Sequence, residues 1–406
     1  MGARPDAPPW LKPLSTGLRV WALEPYYGGS HRHFLDGFVR ASRHRFTIQG
    51  LPGRNWKWRM HGGALALARE SLAHVREFES PQVLFASDML DVATYMALAR
   101  DVVASTPLIL YMHENQLTYP LPPGVERDLG YGMKNITSAL AADRVVFNSD
   151  FHRREFLTAV EALFEAVPDA PPAWVLEQLV IRSEVLHVGC DLRSLDESRE
   201  AETGRWGDPS AGPLILWNQR WEYDKAPGDF FRALFTLQQE GVAFRVAVAG
   251  SNHGLPTAEF VEARRRLGER VVQWGRVESR REYASLLWAA DVVVSTALHE
   301  FFGVSIVEAV YCGCRPVLPD RLSYPELLPR DAHARALYPE GGLVSALREA
   351  VRDAADSAGG PGMPPWSLDW QRSWVARYDW SGLVSRYDAM VEECWERGAK
   401  GEGCKG

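Results

Sequence analysis

The chain predicts two α/β domains in tandem, each a parallel sheet covered by helices on both faces. Three observations carry that expectation. Short apolar runs recur along residues 18–320 at the spacing of strand–helix–strand units. Runs such as ADVVVSTAL (290–298) read as strands buried in a parallel sheet. The series breaks once, at a polar stretch containing Gly and Pro (191–212), and then resumes. At 406 residues the chain is long enough for two such domains.

The first series comprises LRVWALE (18–24), RFTIQGL (45–51), PQVLFAS (81–87), PLILYM (107–112), DRVVFNS (143–149) and SEVLHVG (183–189), with helical stretches such as 65–76 between them. The second comprises PLILWNQ (213–219), AFRVAVAG (243–250), RVVQWG (270–275), ADVVVS (290–295) and RPVLPD (315–320). The expected organisation is a disordered lead-in over 1–16, a first domain over 17–195 and a second over 196–375. A C-terminal helix (376–398) and a frayed tail (399–406) follow. Leu383, Tyr387 and Met390 share one face of that helix, which suits packing.

Composition narrows the class. A hydrophobic content of 46% with 24% charged residues is that of a globular protein. No apolar run approaches the roughly 20 residues that span a bilayer. The Pro-rich N-terminus lacks the apolar core of a signal peptide. The expectation is a cytoplasmic protein without a membrane anchor. Five scattered cysteines (Cys190, Cys312, Cys314, Cys394, Cys404) argue against a disulfide framework and lack a zinc spacing. Net charge is −7, but residues 1–60 hold ten Lys/Arg against three Asp/Glu, a local +7 that leaves −14 elsewhere. That asymmetry permits a polyanion on the N-terminal part. Only six residues are Lys; Lys57, Lys134 and Lys225 lie in the interior, all within motifs described next. A compact ammonium suits a phosphate.

The richest motif is HEFFGVSIVEA (299–309), between a strand and a helix. In open α/β sheets ligands bind at the carboxyl ends of strands. Gly303 allows close backbone approach, and the amides of Val304, Ser305 and Ile306 are expected as free donors for a phosphate. Glu300 and Glu308 would repel a phosphate and so suit hydroxyls; both demands together describe a nucleotide sugar. A plain strand–loop–helix with a solvated Glu pair is the alternative.

Other motifs follow strand ends too. In EPYYGGSHRHF (24–34), Gly28 and Gly29 allow unusual backbone geometry and Ser30 is an expected helix cap; Glu24, His31 and His33 are neighbours, His31 foremost. A simple tight turn is the alternative. GRNWKWRMHGG (53–63) interleaves Trp56 and Trp58 with Lys57 and Arg59, which suits RNA, or a half-buried strand. MHENQLTYP (112–120) puts His113 at a strand end, where it could move a proton or orient a hydroxyl, beside the neutral groups of Asn115, Gln116 and Tyr119. RDLGYGMKNI (127–136) has Arg127, Tyr131 and Lys134 at helical spacing, expected on one face. FNSDFHRREF (147–156) reads as a solvated helix start. WNQRWEYDK (217–225) brings Arg220 and Lys225. WGRV (274–277) ends a strand and is expected to border a nucleobase through its backbone.

Taken together, HEFFGVSIVEAVYCGCRPV, WNQRWEYDK, EPYYGGSHRHF, NWKWR and MHENQLTYP resemble one family, the tRNA-queuosine mannosyltransferases, also called glycosyltransferase-like domain-containing proteins. The similarity spans roughly residues 18–330. Glu300 and Glu308 resemble the paired-Glu motif of retaining GT-B glycosyltransferases. The resemblance implies a GT-B fold, with two Rossmann-like domains facing a cleft and the C-terminal helix crossing back to the N-terminal domain. It implies retaining transfer of mannose from GDP-mannose to the cyclopentenediol of queuosine in the anticodon of tRNA-Asp. The sequence offers no DxD-like metal motif, so no metal and no cofactor are expected. His113, Glu300, Arg220 and Lys225 would be catalytic: His113 beside the anomeric carbon, Glu300 on the hexose, Arg220 and Lys225 on the diphosphate. Glu308 would hold the ribose. Gly28, Gly29, Trp274, Gly275, Phe301, Phe302, Gly303 and Val304 complete the donor set. The acceptor set is His31, Trp56, Lys57, Trp58, Arg59, Asn115, Gln116, Tyr119, Arg127, Tyr131 and Lys134. Two alternatives remain: a GT-B enzyme with a lipid or small-glycoside acceptor, and a non-catalytic RNA-binding protein on the same scaffold.

Overall fold

The computed structural model describes residues 17–75, 79–121, 124–166, 174–199, 203–250, 257–357 and 366–400. The expected lead-in (1–16) and most of the tail (401–406) lie outside them. Twelve strands form among the described residues. The first sheet holds β1 (Arg19–Tyr27), β2 (Arg45–Pro52), β3 (Val83–Ser87), β4 (Leu108–Met112), β5 (Arg144–Phe147) and β6 (Ser183–Val185), in the order β2-β1-β3-β4-β5-β6. The second holds β7 (Leu214–Trp217), β8 (Arg245–Val248), β9 (Val271–Trp274), β10 (Val292–Val294), β11 (Arg315–Pro319) and β12 (Leu337–Tyr338), in the order β12-β11-β10-β7-β8-β9. Pairing is parallel. Eleven strands match the apolar runs. Only the two-residue β12 has no counterpart in the sequence reading, because so short an edge strand carries no periodicity.

Both orders contain a switch point. In the first sheet the chain leaves β1 for β2 on one side, then returns to β3 on the other. In the second it leaves β7 for β8 and β9, then returns to β10. Strand ends beside a switch diverge and open a crevice for ligands. EPYYGGSHRHF and WNQRWEYDK run out of the ends of β1 and β7, and HEFFGVSIVEA follows β10.

The chain forms two compact units. One comprises Met1–Met112, Met133–Val146 and Val384–Gly406; the other His113–Gly132 and Phe147–Leu383. An aromatic cluster holds the first: Phe34 stacks on Tyr111 at 4.5 Å and Phe38 lies 4.9 Å from Tyr387. Tyr387 belongs to the helix Trp380–Ala399, and its hydroxyl donates to that of Tyr111 at 3.1 Å. Leu383, Tyr387 and Met390 are all buried, so the face expected from the sequence is the packed one. Asp388 accepts from the Arg43 amide, and Arg144 pairs with Glu393 at 3.0 Å.

In the second unit, Trp217, Phe230, Phe231 and Phe260 fill the core against β7 and β8. The polar stretch 191–212 is not an open linker. It folds into the short helices Arg193–Ser198, Thr203–Trp206 and Pro209–Ala211. Trp206 is buried and donates to Ser285, and Arg245 donates to the Trp206 carbonyl at 2.7 Å. Among its described residues, Leu192, Leu195 and Trp206 are buried and anchor the segment, while most of its charged residues stay exposed. The four described cysteines are buried free thiols. Among the described residues no helix is long and apolar enough to cross a membrane.

Candidate functional site

After β10 the chain turns at Gly303 into the helix Val304–Tyr311. Gly303 has φ +102°, and a Cβ there would stand 3.1 Å from Leu327. The left-handed conformation favours glycine, and a side chain there would also have to displace Leu327 slightly. The Gly303 carbonyl accepts from the amides of Ile306 (3.0 Å) and Val307 (3.1 Å). The expected set of three free amides is therefore reduced to Val304 and Ser305, since Ile306 already closes the first turn. Phe301 and Phe302 are buried: Phe301 stacks on His152 at 3.7 Å and Phe302 meets Tyr378 at 5.2 Å. Their rings belong to the core, which leaves the backbone of Phe301 and Phe302 for the expected donor contact. His152 itself is enclosed, not solvated, and burial drives its pKa well down.

Charged groups converge between the ends of β7 and β10. The 3-10 turn Tyr223–Lys225 turns Lys225 inward, and the ammonium is almost fully buried. Lys225 Nζ donates to the His299 carbonyl at 2.6 Å, lies 3.1 Å from Asp224 and reaches Glu300 at 3.5 Å. Thr296 donates to the Lys225 carbonyl and the Leu298 amide to that of Asp224, tying the two loops together. Arg220, half-exposed, pairs with Glu222 at 3.2 Å and donates to the Tyr119 hydroxyl at 3.3 Å. Burial alone would lower the Arg220 pKa, but Tyr119 and Glu222 raise it on balance. Burial, then Lys225, push His299 down to about 3, so its imidazole is neutral at physiological pH. The Nε2 of His299 is buried without a hydrogen-bond partner.

His113 directly follows β4 and is half-buried; its carbonyl accepts from Asn148 at 2.9 Å. The loop after it is built by its own polar residues. Asn115 Oδ1 accepts from the amides of Leu117 and Thr118 at 3.0 Å each, an Asx turn. Arg127 donates to the carbonyls of Gln116 (2.6 Å) and Tyr119 (2.8 Å), and Gln116 donates to Glu114. Asn115 is fully buried. Asn115 and Arg127 therefore hold the loop; Asn115 is enclosed, whereas Arg127 stays part-exposed. The loop presents Tyr119, whose ring lies 4.7 Å from that of His299. Burial, then Glu114, raise the Tyr119 pKa.

Glu308 sits on the helix after Gly303, its carboxylate 2.8 Å from Arg280. Trp274, partly buried, packs its ring against Phe231 and Trp221, at 5.8 and 5.6 Å.

The other predicted residues lie in the first unit, except Tyr131. Gly28 is the N-cap of the helix Gly29–Ala41, so Ser30 lies inside the helix and makes no cap. A Cβ on Gly28 would stand 3.0 Å from the Gly53 Cα, a backbone-to-backbone approach that excludes any side chain there. His31 is buried, with Nδ1 3.1 Å from Glu24; the same carboxylate accepts from Ser87 (2.9 Å) and the Tyr26 amide (2.8 Å). Trp56, Lys57, Trp58 and Arg59 form the first turn of the helix Trp56–His74, not a strand. Helical geometry removes the in–out alternation. Trp58 is 62% exposed, Lys57 sits over the Trp56 ring at 5.7 Å, and Arg59 donates to the Pro52 carbonyl. Tyr131 and Lys134 lie on the helix Leu129–Ala141, whereas Arg127 precedes it, so the three do not share a face. Lys134 is paired with Asp91 at 2.6 Å. Sequence reasoning missed Asp224, His299, Arg280 and Tyr283. Asp224 and His299 adjoin the motifs; Arg280 and Tyr283 sit in a stretch without a signature.

Residues 19–190 match the family model described as tRNA-queuosine alpha-mannosyltransferase N-terminal, and residues 212–357 match Glycosyl transferases group 1. The chain is 35% identical over 315 residues to a tRNA-queuosine alpha-mannosyltransferase of Drosophila melanogaster, covering 77% of this chain and 82% of that protein. It is 24% identical over 340 residues to a GDP-mannose-dependent alpha-(1-6)-phosphatidylinositol dimannoside mannosyltransferase of Mycobacterium tuberculosis, covering 83% and 80%. Among solved structures, a glycosyltransferase from Rickettsia africae superposes with a TM-score of 0.65 at 12% identity, covering 94% of this chain and 99% of that one. Sucrose-phosphate synthase from Thermosynechococcus elongatus gives 0.63 at 13%, covering 94% and 99%. These structural likenesses establish the GT-B fold. With two parallel sheets, charged groups gathered at a switch point and a relative alike over most of both lengths, the chain belongs to the tRNA-queuosine alpha-mannosyltransferase family of GT-B hexosyltransferases.

Proposed function

We propose that this chain transfers mannose with retention from GDP-mannose to the cyclopentenediol of queuosine in the anticodon of tRNA-Asp. The observation that carries this reading is the cluster of Lys225, Arg220 and Glu300 at the ends of β7 and β10. Two cations can stabilise the charge that builds on a departing diphosphate. A carboxylate beside them can accept from hexose hydroxyls. The names of the relatives supply mannose, GDP-mannose and queuosine-bearing tRNA as the substrates to test.

In this reading the bond from the anomeric carbon to the diphosphate oxygen breaks as the bond to the acceptor oxygen forms on the same face. The acceptor proton passes to the departing phosphate oxygen. No side chain acts as nucleophile. His113 borders the anomeric carbon, Glu308 holds the ribose, and the first turn of Trp56–His74 meets the RNA. The chemistry is metal-independent, since the two cations take the place of an ion; transfer should persist in excess EDTA, and its loss there would refute this part.

The decisive experiment incubates the protein with GDP-mannose and queuosine-containing tRNA and reads the nucleosides by mass spectrometry. A hexose on queuosine supports donor, acceptor and reaction together. Hydrolysis of GDP-mannose without transfer to tRNA would move the acceptor to a lipid or small glycoside, consistent with the phosphatidylinositol in the name of the Mycobacterium relative. Absence of both nucleotide binding and transfer would favour a non-catalytic RNA-binding role.

A further inference from the structure

Glu308 is nearly buried, whereas Arg280, 2.8 Å away, is half-exposed. Arg280 opens the helix Arg280–Ala289, and Tyr283 lies one turn further along it. Tyr283 is enclosed, and burial, then the nearby charge of Glu308, raise its pKa. Asn218, just after β7, donates from Nδ2 to the Tyr283 hydroxyl at 3.0 Å and to the Ser305 carbonyl at 3.0 Å. The Glu308 carboxylate thus has one charged donor from the protein, Arg280. A carboxylate offers about four lone-pair sites, so enough remain for a pair of hydroxyls. A buried carboxylate without a counter-charge is strongly disfavoured. Burial would lower the Arg280 pKa, yet Glu308 more than offsets that, so Arg280 supplies a firm positive charge.

We propose that Arg280 is a positioning residue for the donor: held on Glu308, it compensates the carboxylate and fixes its orientation so that its remaining lone pairs receive the ribose diol. This rests on the reading of Glu308 as the ribose contact. The opposite role, a side chain that occupies the place of the ribose and must leave, makes the opposite prediction.

Calorimetric titration of the full chain with GDP and 2′-deoxy-GDP separates them, in the parent, Glu308→Gln, Arg280→Ala and Arg280→Lys. The parent should prefer GDP. Arg280→Ala should bind GDP about tenfold more weakly, the scale of one charge-assisted hydrogen bond, while 2′-deoxy-GDP changes little and the preference collapses. Arg280→Lys should recover part of it. A generally weakened fold would reduce both affinities alike and would not support the proposal. If Arg280→Ala keeps the preference, or binds GDP more tightly, Arg280 does not position Glu308. If the parent shows no preference and Glu308→Gln binds like it, the ribose reading of Glu308 fails first. Should Arg280→Ala not fold, the same comparison with Arg280→Lys decides: a preference undiminished from the parent overturns the proposal.

Discussion

The two sheets switch direction at equivalent places, between β1 and β3 in one and between β7 and β10 in the other. Their side chains differ. At the first switch the Glu24 carboxylate accepts from a hydroxyl, an amide and an imidazole neighbour. At the second, charge of both signs concentrates around the nearly buried Lys225 and Asp224, with Glu300 and the half-exposed Arg220 beside them. Topology selects where a ligand can sit; the residues after the strand select which ligand. The first environment suits neutral hydroxyls. The second suits a group carrying both negative charge and hydroxyls.

That contrast can be broken most sharply at Lys225. Lys225→Ala should lower kcat by about 10²- to 10³-fold, the scale seen on removing a preorganised electrostatic group. GDP-mannose turnover checks it, with a melting curve to show that the fold survives the loss of a partner for Asp224 and Glu300. Near-normal turnover would leave the second switch point without its chemistry. In the first unit, Trp58→Ala should raise the KM for tRNA roughly 5- to 150-fold, as for one lost base–aromatic stack of about 1–3 kcal/mol. GDP affinity and melting temperature should stay unchanged, because the ring is exposed. An unchanged tRNA KM would assign the helix Trp56–His74 to something other than RNA.

The smallest expected effect concerns a support rather than a ligand contact. Glu326 accepts from the amides of Asp150 (2.9 Å) and Phe151 (3.1 Å) at a helix start, and from His187 (2.8 Å). Burial opposes its charge, but these bonds win and its pKa falls below the ordinary 4.5. A depressed carboxylate contributes stability that is present above that ordinary value and lost as pH falls through the depressed one. Glu326→Gln should therefore destabilise by about 1–3 kcal/mol at pH 7 and flatten the acid limb of the melting temperature below about 4.5. An acid limb identical to the parent's would show that Glu326 does not act through its charge.

Much of this site was legible beforehand because its residues cluster in sequence. HEFFGVSIVEA and WNQRWEYDK lie directly after strands, and their charges stand out in a chain that otherwise uses Arg in place of Lys. The NWKWR reading shows the opposite. Alternating Trp and cations fit a strand, but Asn55 in the left-handed region (φ 56°) starts a helix there, and the alternation then has no structural meaning. Asn115 and Arg127 looked like recognition groups from their chemistry; their hydrogen bonds to nearby backbone groups make them loop supports.

By itself the sequence determined two parallel sheets, eleven of their twelve strands, the family, and the residues that stand after β1, β7 and β10. Strand burial and glycine placement are local properties, and local properties survive in one dimension. Tertiary structure alone decided that Arg280 meets Glu308, that Lys225 turns inward to His299 and Glu300, and that Phe301 and Phe302 face the core. Those outcomes depend on which elements the fold brings together. A side chain of given chemistry becomes a ligand group or a support according to the partners that burial leaves it.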